Sequence, residues 1–261
     1  VFAKYNRTRK EDFQIRTAIL EENGKRYVEK TALTAAAEAH IRSMREKYEK
    51  LISVNPAVKV LEPHYSKDNK AVRFGFLKGK TLAEILGEQI TGKKAPVEAL
   101  KAAMDRVFGQ AVLKKEPFTP TDQFKEVFGD SEEILSLQDT SYEVSNIDGL
   151  FENLMETQDG LYCLDYEWVF EFPIPAGFIR YRNLVYFYYK YEGLMDYENA
   201  ADFLKEFGIG EELSGLYAAM EESFQSWVHG DGTQGYMGNY KQRLVTLEEL
   251  KAQEKELDQA R

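Results

Sequence analysis

At 261 residues, with 43% hydrophobic and 30% charged side chains, the chain is long enough to bury a substantial core as one large domain or two unequal lobes. Its 34 basic against 44 acidic residues leave a net charge of −10, which excludes a general binder of nucleic acid or anionic membrane while leaving room for a local basic patch that holds one nucleotide. A lone cysteine, Cys163, excludes an internal disulfide and fits a reducing, cytoplasmic compartment, and no run approaches the roughly 18 apolar residues of a membrane span.

In chain order, residues 1–30 predict three strands: Phe2 to Arg9, Phe13 to Leu20, and Arg26 to Lys30 after the turn signal Glu22-Asn23-Gly24. An amphipathic helix is expected from about Ala35 to Ile52, with Ile41, Met44, Tyr48, Leu51 and Ile52 at helical spacing. Asn55-Pro56 stops it, Val58 to Leu61 reads as a fourth strand, and Ala71 to Phe76 as a fifth. Thr81 and Glu84 have the spacing of a capping box and mark a helix start. A further helix is expected from Pro96 to about Leu113, with Leu100, Met104, Val107, Phe108 and Ala111 on one face. Residues 114–133, broken by Pro117, Pro120 and Gly129, read as irregular. Leu161 to Leu164 reads as a short strand ending on Asp165, and from Ala176 the chain is mostly helical. Ten aromatic residues crowd positions 168–191 and are expected to pack the core. Residues 241–261 form a charged segment with a thin leucine stripe, read as a solvated helix or a linker to a neighbouring domain; with Val1 at the start, the whole reads as part of a longer protein.

The chemistry is concentrated in Asn146-Ile147-Asp148-Gly149-Leu150-Phe151-Glu152-Asn153 and the strand that ends on Asp165. Metal-assisted phosphoryl transfer needs a carboxylate to accept a hydroxyl proton, and an amide oxygen and second carboxylate to hold Mg²⁺ against nucleotide phosphates. Asp148, Asn153 and Asp165 supply that set in that order. An Asp and an Asn five apart are weak evidence alone, and a loop pair capping a turn is the bland alternative. A strand-strand-strand-helix order upstream and the apolar strand before Asp165 strengthen the phosphotransferase reading.

These residues resemble the protein-kinase-like superfamily, in particular its aminoglycoside-phosphotransferase-like, small-molecule kinase branch. The resemblance implies a two-lobed α+β fold: a small antiparallel five-stranded N-lobe with one helix over residues 1–77, and a mostly helical C-lobe over residues 78–240. It implies Asp148 as catalytic base or orienter, Asn153 and Asp165 as metal ligands, and ATP with Mg²⁺ as cofactors. Val28-Glu29-Lys30 resembles the strand-three lysine that clamps nucleotide phosphates, with Glu38 as its expected acidic partner and Glu46 as the competitor. Phe76 and Leu77, in the stretch between the lobes, are expected to line the nucleotide site. The chain departs from the family in having Asn146-Ile147 before Asp148 instead of a histidine motif. It also lacks a glycine-rich loop, carrying Asn6-Arg7-Thr8-Arg9-Lys10 in its place, a basic turn whose side chains can meet phosphate oxygens or simply sit in solvent. Tyr166-Glu167-Trp168 after Asp165 favours a non-protein acceptor; Glu167 reads more readily as a buried salt-bridge residue than as a metal ligand. His229-Gly230-Asp231 spells a kinase triplet but is followed by Tyr236 where an asparagine is needed, and it is read as a loop.

The run from Asp165 to Arg182 also resembles kinase-like modules attached to bacterial glycosyltransferases for cell-surface polysaccharide, which implies a glycan or sugar acceptor and a linked glycosyltransferase as partner. A pseudokinase that scaffolds such an enzyme is the alternative. A metal-dependent hydrolase finds no clustered acids or histidines in its support.

Overall fold

The structure is a computed structural model, and it describes residues 2–109 and 113–230. The chain opens with strand β1 (Phe2–Tyr5), then β2 (Ile15–Glu22) and β3 (Lys25–Ala32), followed by helices α1 (Glu38–Arg42) and α2 (Met44–Val54). Short strands β4 (Lys59–Val60) and β5 (His64–Tyr65) lead to β6 (Ala71–Gly75) and β7 (Lys80–Thr81). Helices α3 (Leu82–Gly87) and α4 (Val97–Phe108), strand β8 (Lys115–Pro117), and helices α5 (Asp122–Phe128) and α6 (Glu132–Leu135) come next. Strands β9 (Thr140–Tyr142), β10 (Ser145–Asn146), β11 (Leu154–Thr157), β12 (Gly160–Cys163), β13 (Val169–Phe170) and β14 (Ile174–Pro175) precede helices α7 (Ala176–Tyr191), α8 (Ala200–Lys205) and α9 (Glu211–His229).

The fold is mixed α+β, with an antiparallel N-terminal sheet and a mostly helical C-terminal part. The sheet has five strands in the order β1-β2-β3-β6-β5, every neighbour antiparallel. Two details of this N-terminal part differ from the sequence expectation. The strand at Val58 to Leu61 does not join that sheet; β4 runs parallel to β12, pairing Tyr162 with Lys59 and Cys163 with Val60, in a second sheet ordered β4-β12-β11-β7. Pro63 carries no N–H to extend that ladder, and the chain turns there so that β5 completes the first sheet. The expected single helix is split at Ser43. The Tyr65 hydroxyl sits at the break, accepting from Arg45 N at 3.0 Å and donating to the Arg42 carbonyl at 2.9 Å. It satisfies backbone groups that a continuous helix would pair internally.

Residues 114–133 are more regular than expected, because Thr121 and Ser131 cap α5 and α6 with side-chain bonds to Phe124 N and Ile134 N. Gly129 ends α5 at φ +99°, a conformation open to glycine. The expected capping box at Thr81 and Glu84 forms in both directions. Against these helices the aromatic-rich stretch packs as core: Phe172 and Phe178 are buried and meet Phe128 of α5 edge to face. The charged segment 241–261, Ala111, and the Asp231 half of the histidine-glycine-aspartate triplet lie outside the described residues.

Candidate active site

Two backbone segments form the centre of the site. Strand β10 pairs antiparallel with β13, Ser145 opposite Phe170 and Asn146 opposite Val169, which lays residues 146–148 beside residues 165–168. Ile147 N donates to the Trp168 carbonyl at 3.0 Å, and Trp168 N donates to Asp148 Oδ2 at 2.9 Å. Asn146, standing where the resembled family has histidine, ties both segments: its Oδ1 accepts from Asp148 N at 3.1 Å and its Nδ2 reaches the Asp165 carbonyl at 3.3 Å. One turn later Asn153 donates from Nδ2 to the Asp148 carbonyl at 2.9 Å, which fixes its amide and leaves Oδ1 as the acceptor end.

Helix α7 holds this loop from the other side. The buried Arg182 donates from Nη1 to the Ile147 carbonyl and from Nε to Glu221 Oε2 at 2.6 Å, and Asn183 Oδ1 accepts from Phe151 N at 2.9 Å. Sequence reasoning missed this support; its signal is an Arg-Asn pair inside a helix otherwise apolar on that side.

Lys30 enters from the sheet. It lies on β3 between Thr17 of β2 and Val72 of β6 and is only 3% exposed. Its ammonium donates to Asp165 Oδ1 at 2.6 Å and to Glu167 Oε1. Glu38, the expected partner, does not reach it. Glu38 lies at the start of α1 and pairs at the surface with Lys70 at 3.0 Å and Arg42 at 3.2 Å. The physical reason is the short, broken helix: α1 turns His40 and Ile41 inward, and His40 Nε2 comes within 3.8 Å of Glu167 Oε2. Among the described residues the carboxylates bonded to Lys30 are Asp165 and Glu167.

Glu167 gathers further basic groups. Arg9, from the turn between β1 and β2, donates to its Oε2 at 2.6 Å, and the half-buried Lys47 donates to its backbone carbonyl. A cleft of about 550 Å³ opens over this centre, lined by Asp148, Asn153 and Asp165 on one side and by Arg9, Tyr186 and Tyr189 on others. Phe76 and Leu77, half-buried after β6, lie outside its lining.

The electrostatics follow from burial. Loss of water, with the charges of Asp165 and Glu167 nearby, pushes the Asp148 carboxyl up to about 7. Burial alone would raise Glu167 and lower Lys30. The opposite charges win in both cases: Lys30 and Arg9 hold Glu167 well below the usual carboxylate range, and Asp165 and Glu167 hold the Lys30 ammonium charged. Lys47 has less compensation, and burial draws it down to about 8. The raised Asp148 means that a second positive charge at its side would be welcome. The Asp165 carboxylate and the fixed amide oxygen of Asn153 are hard donors that fit Mg²⁺, which usually takes few protein ligands and completes its shell with phosphate and water. Among the described residues no three His, Cys, Asp or Glu side chains cluster to hold a metal unaided, so Asn153 and Asp165 suit an ion that arrives with phosphates.

No protein-family model matches the chain, and no curated protein does. Solved structures similar to it include small-molecule phosphotransferases and kinases. One is a macrolide 2′-phosphotransferase from Brachybacterium faecium, 11% identical over 91% of this chain and 87% of that one, at a TM-score of 0.40. Another is a thermostable mutant of the aminoglycoside phosphotransferase APH(4)-Ia, 12% identical over 91% and 89%, at 0.48. A third is choline kinase LicA from Streptococcus pneumoniae, 11% identical over 86% and 82%, at 0.43. Among the described residues no helix is long and apolar enough to cross a membrane.

Proposed function

We propose that the chain is a phosphotransferase that moves the γ-phosphoryl group of Mg·ATP to a hydroxyl of a small molecule or glycan. One observation carries the reading: Lys30 Nζ, from the N-terminal sheet, meets Asp165 Oδ1 at 2.6 Å across 135 residues of sequence, at a cleft that Asp148 and Asn153 also line. Lys30 would hold nucleotide phosphate oxygens, and Asn153 Oδ1 with Asp165 would hold the divalent ion. When bound, that ion neutralises charge on the phosphates. Asp148, desolvated and near 7, is poised to orient the acceptor hydroxyl and take its proton as the phosphoryl group moves. Positioning and charge neutralisation supply most of the acceleration, since the protein forms no covalent bond itself. Tyr186 and Tyr189 line the cleft, and aromatic rings there favour a glycan or sugar acceptor and a place in bacterial surface-polysaccharide synthesis, in the cytoplasm beside a glycosyltransferase.

A second reading is a pseudokinase that scaffolds a glycosyltransferase. It draws on Asn146 in place of histidine and on the Arg9–Glu167 bond that ties the turn after β1 across the cleft. Thermal-shift and γ-phosphoryl transfer measurements with ATP, GTP and Mg²⁺ separate the two. The phosphotransferase reading expects stabilisation by Mg·ATP and transfer to an oligosaccharide or other hydroxyl acceptor, both lost in Asp165→Asn. Unchanged turnover in that variant removes the metal assignment, and no stabilisation by any nucleotide removes the phosphotransferase reading.

A further inference from the structure

A phosphate site without a glycine-rich loop needs another source of donors, and the turn between β1 and β2 holds one. The turn is pinned at several points. Asn6 N donates to the Ile15 carbonyl at 2.9 Å, Lys10 N donates to the Val228 carbonyl at 2.9 Å, and Gln14 Nε2 donates to the Arg9 carbonyl at 2.9 Å. Phe13 inserts beside Trp168 and Trp227, with ring centroids 4.9 and 4.8 Å away. This packing aims Arg9 inward. Its guanidinium lies over the Trp168 ring at 5.4 Å, lines the cleft with Asp148, Asn153 and Asp165, and keeps 16% of its side chain exposed.

Only Nη1 of that guanidinium is hydrogen-bonded among the described residues, to Glu167 Oε2 and weakly to the Phe13 carbonyl at 3.5 Å. Nε and Nη2 are left, and a planar guanidinium presents its remaining donors in a fixed fork suited to phosphate oxygens. Arg9, Lys30 and Lys47 gather at Glu167, beside Asp165, so three cationic donors stand together here in a chain that is acidic overall.

We propose that Arg9 is a phosphate-binding residue, its free guanidinium edge taking the β- and γ-phosphates of the bound nucleotide where a glycine-rich loop would offer backbone amides. The assignment rests on the phosphotransferase reading for the identity of the ligand. The competing role is structural: Arg9 only neutralises Glu167 and holds the turn closed. The roles differ in what they make of the phosphate chain. A phosphate contact weakens ligands in proportion to the phosphates they carry, whereas loss of a structural clamp weakens all ligands alike.

The test is titration of the full chain and Arg9→Met with adenosine, AMP, ADP and ATP in Mg²⁺, and with inorganic tripolyphosphate. Arg9→Met should bind adenosine and AMP as the parent does and lose about tenfold or more in affinity for ADP, ATP and tripolyphosphate, the size of one charged hydrogen bond. Arg9→Lys should recover part of the loss. Equal weakening of every ligand, or none, overturns the assignment. If Arg9→Met does not fold, modification of the parent with phenylglyoxal, mapped by mass spectrometry, gives the same decision. Protection of Arg9 by ATP and tripolyphosphate but not by adenosine supports the site, and equal labelling overturns it. A parent that binds nucleotide without transferring phosphate fails the enzyme reading and leaves the Arg9 site standing. A parent that binds neither nucleotide nor tripolyphosphate overturns both.

Discussion

Asp148 at the cleft wall and the buried Glu167 are neighbouring carboxylates, yet their surroundings drive them in opposite directions. Asp148 is held near 7 against an ordinary 3.8, so the folded chain keeps a proton that the unfolded chain releases. Its stability contribution is therefore complete below about pH 4 and is lost as pH rises through about 7. Asp148→Asn should raise the melting temperature at pH 8, where the parent carries the repelling charge, while lowering turnover by about 10²–10⁴-fold, as loss of a positioned general base does. A melting temperature that falls at pH 8 means that the carboxylate is paired more fully than its neighbours Asp165 and Glu167 suggest. In the parent, turnover should rise with pH to a plateau above about 7. Glu167 is the reverse case. Removing its charge strands Lys30 and Arg9, so Glu167→Gln should destabilise the chain by about 3–5 kcal/mol in chemical denaturation. Glu38→Gln, at the surface with Lys70 and Arg42, should leave both melting temperature and nucleotide affinity unchanged. A strong effect there would restore Glu38 as the functional acid.

Helix α7 is the element on which the loop of residues 147–153 depends. Its Arg182 and Asn183 bond the backbone at Ile147 and Phe151, so a shift of the helix moves Asp148 and Asn153 together. The helix begins with a close approach: a Cβ on Gly177 would stand 2.0 Å from the Tyr217 hydroxyl and 2.7 Å from Asp139 Oδ2. Tyr217 is buried and its hydroxyl bonds to Asp139, which leaves little room to yield. Gly177→Ala should cost about 1–3 kcal/mol, the range for overpacking a core, and should lower activity more steeply than the fall in folded fraction. Circular dichroism melts alongside turnover at low temperature check it, and equal losses in both would confine α7 to a structural role.

At the scale of the molecule, the N-terminal sheet and the helical part share one hydrophobic core and are tied by charged and polar contacts as well. Lys30 with Asp165, Arg9 with Glu167, and the Tyr166 hydroxyl with the Leu61 carbonyl at 2.7 Å are the clearest. A nucleotide held between Lys30 and Asp165 would link the two parts and be felt on both sides. Hydrogen exchange should then slow together at amides of β3 and of residues 146–153, with a total stabilisation of about 2.7 kcal/mol at a ligand concentration one hundred times the dissociation constant. Protection confined to one side would place the nucleotide elsewhere.

Much of this was legible in the sequence because it is local. The three strands of residues 1–30, the capping box at Thr81 and Glu84, and the strand ending before Asp165 each follow from side-chain alternation, turn residues or capping within a few positions. The spacing of Asp148 and Asn153 is also local, and so is the turn that bonds one to the other. What only the tertiary structure decided are relations across long stretches of chain. Val58 to Leu61 pairs with β12 and not with the first sheet, α1 breaks where Tyr65 inserts its hydroxyl, and Lys30 takes Glu167 in place of Glu38. The pattern of a strand shows which face is buried but not which edge it will meet, and a lysine's partner is chosen by whichever carboxylate shares its dry pocket.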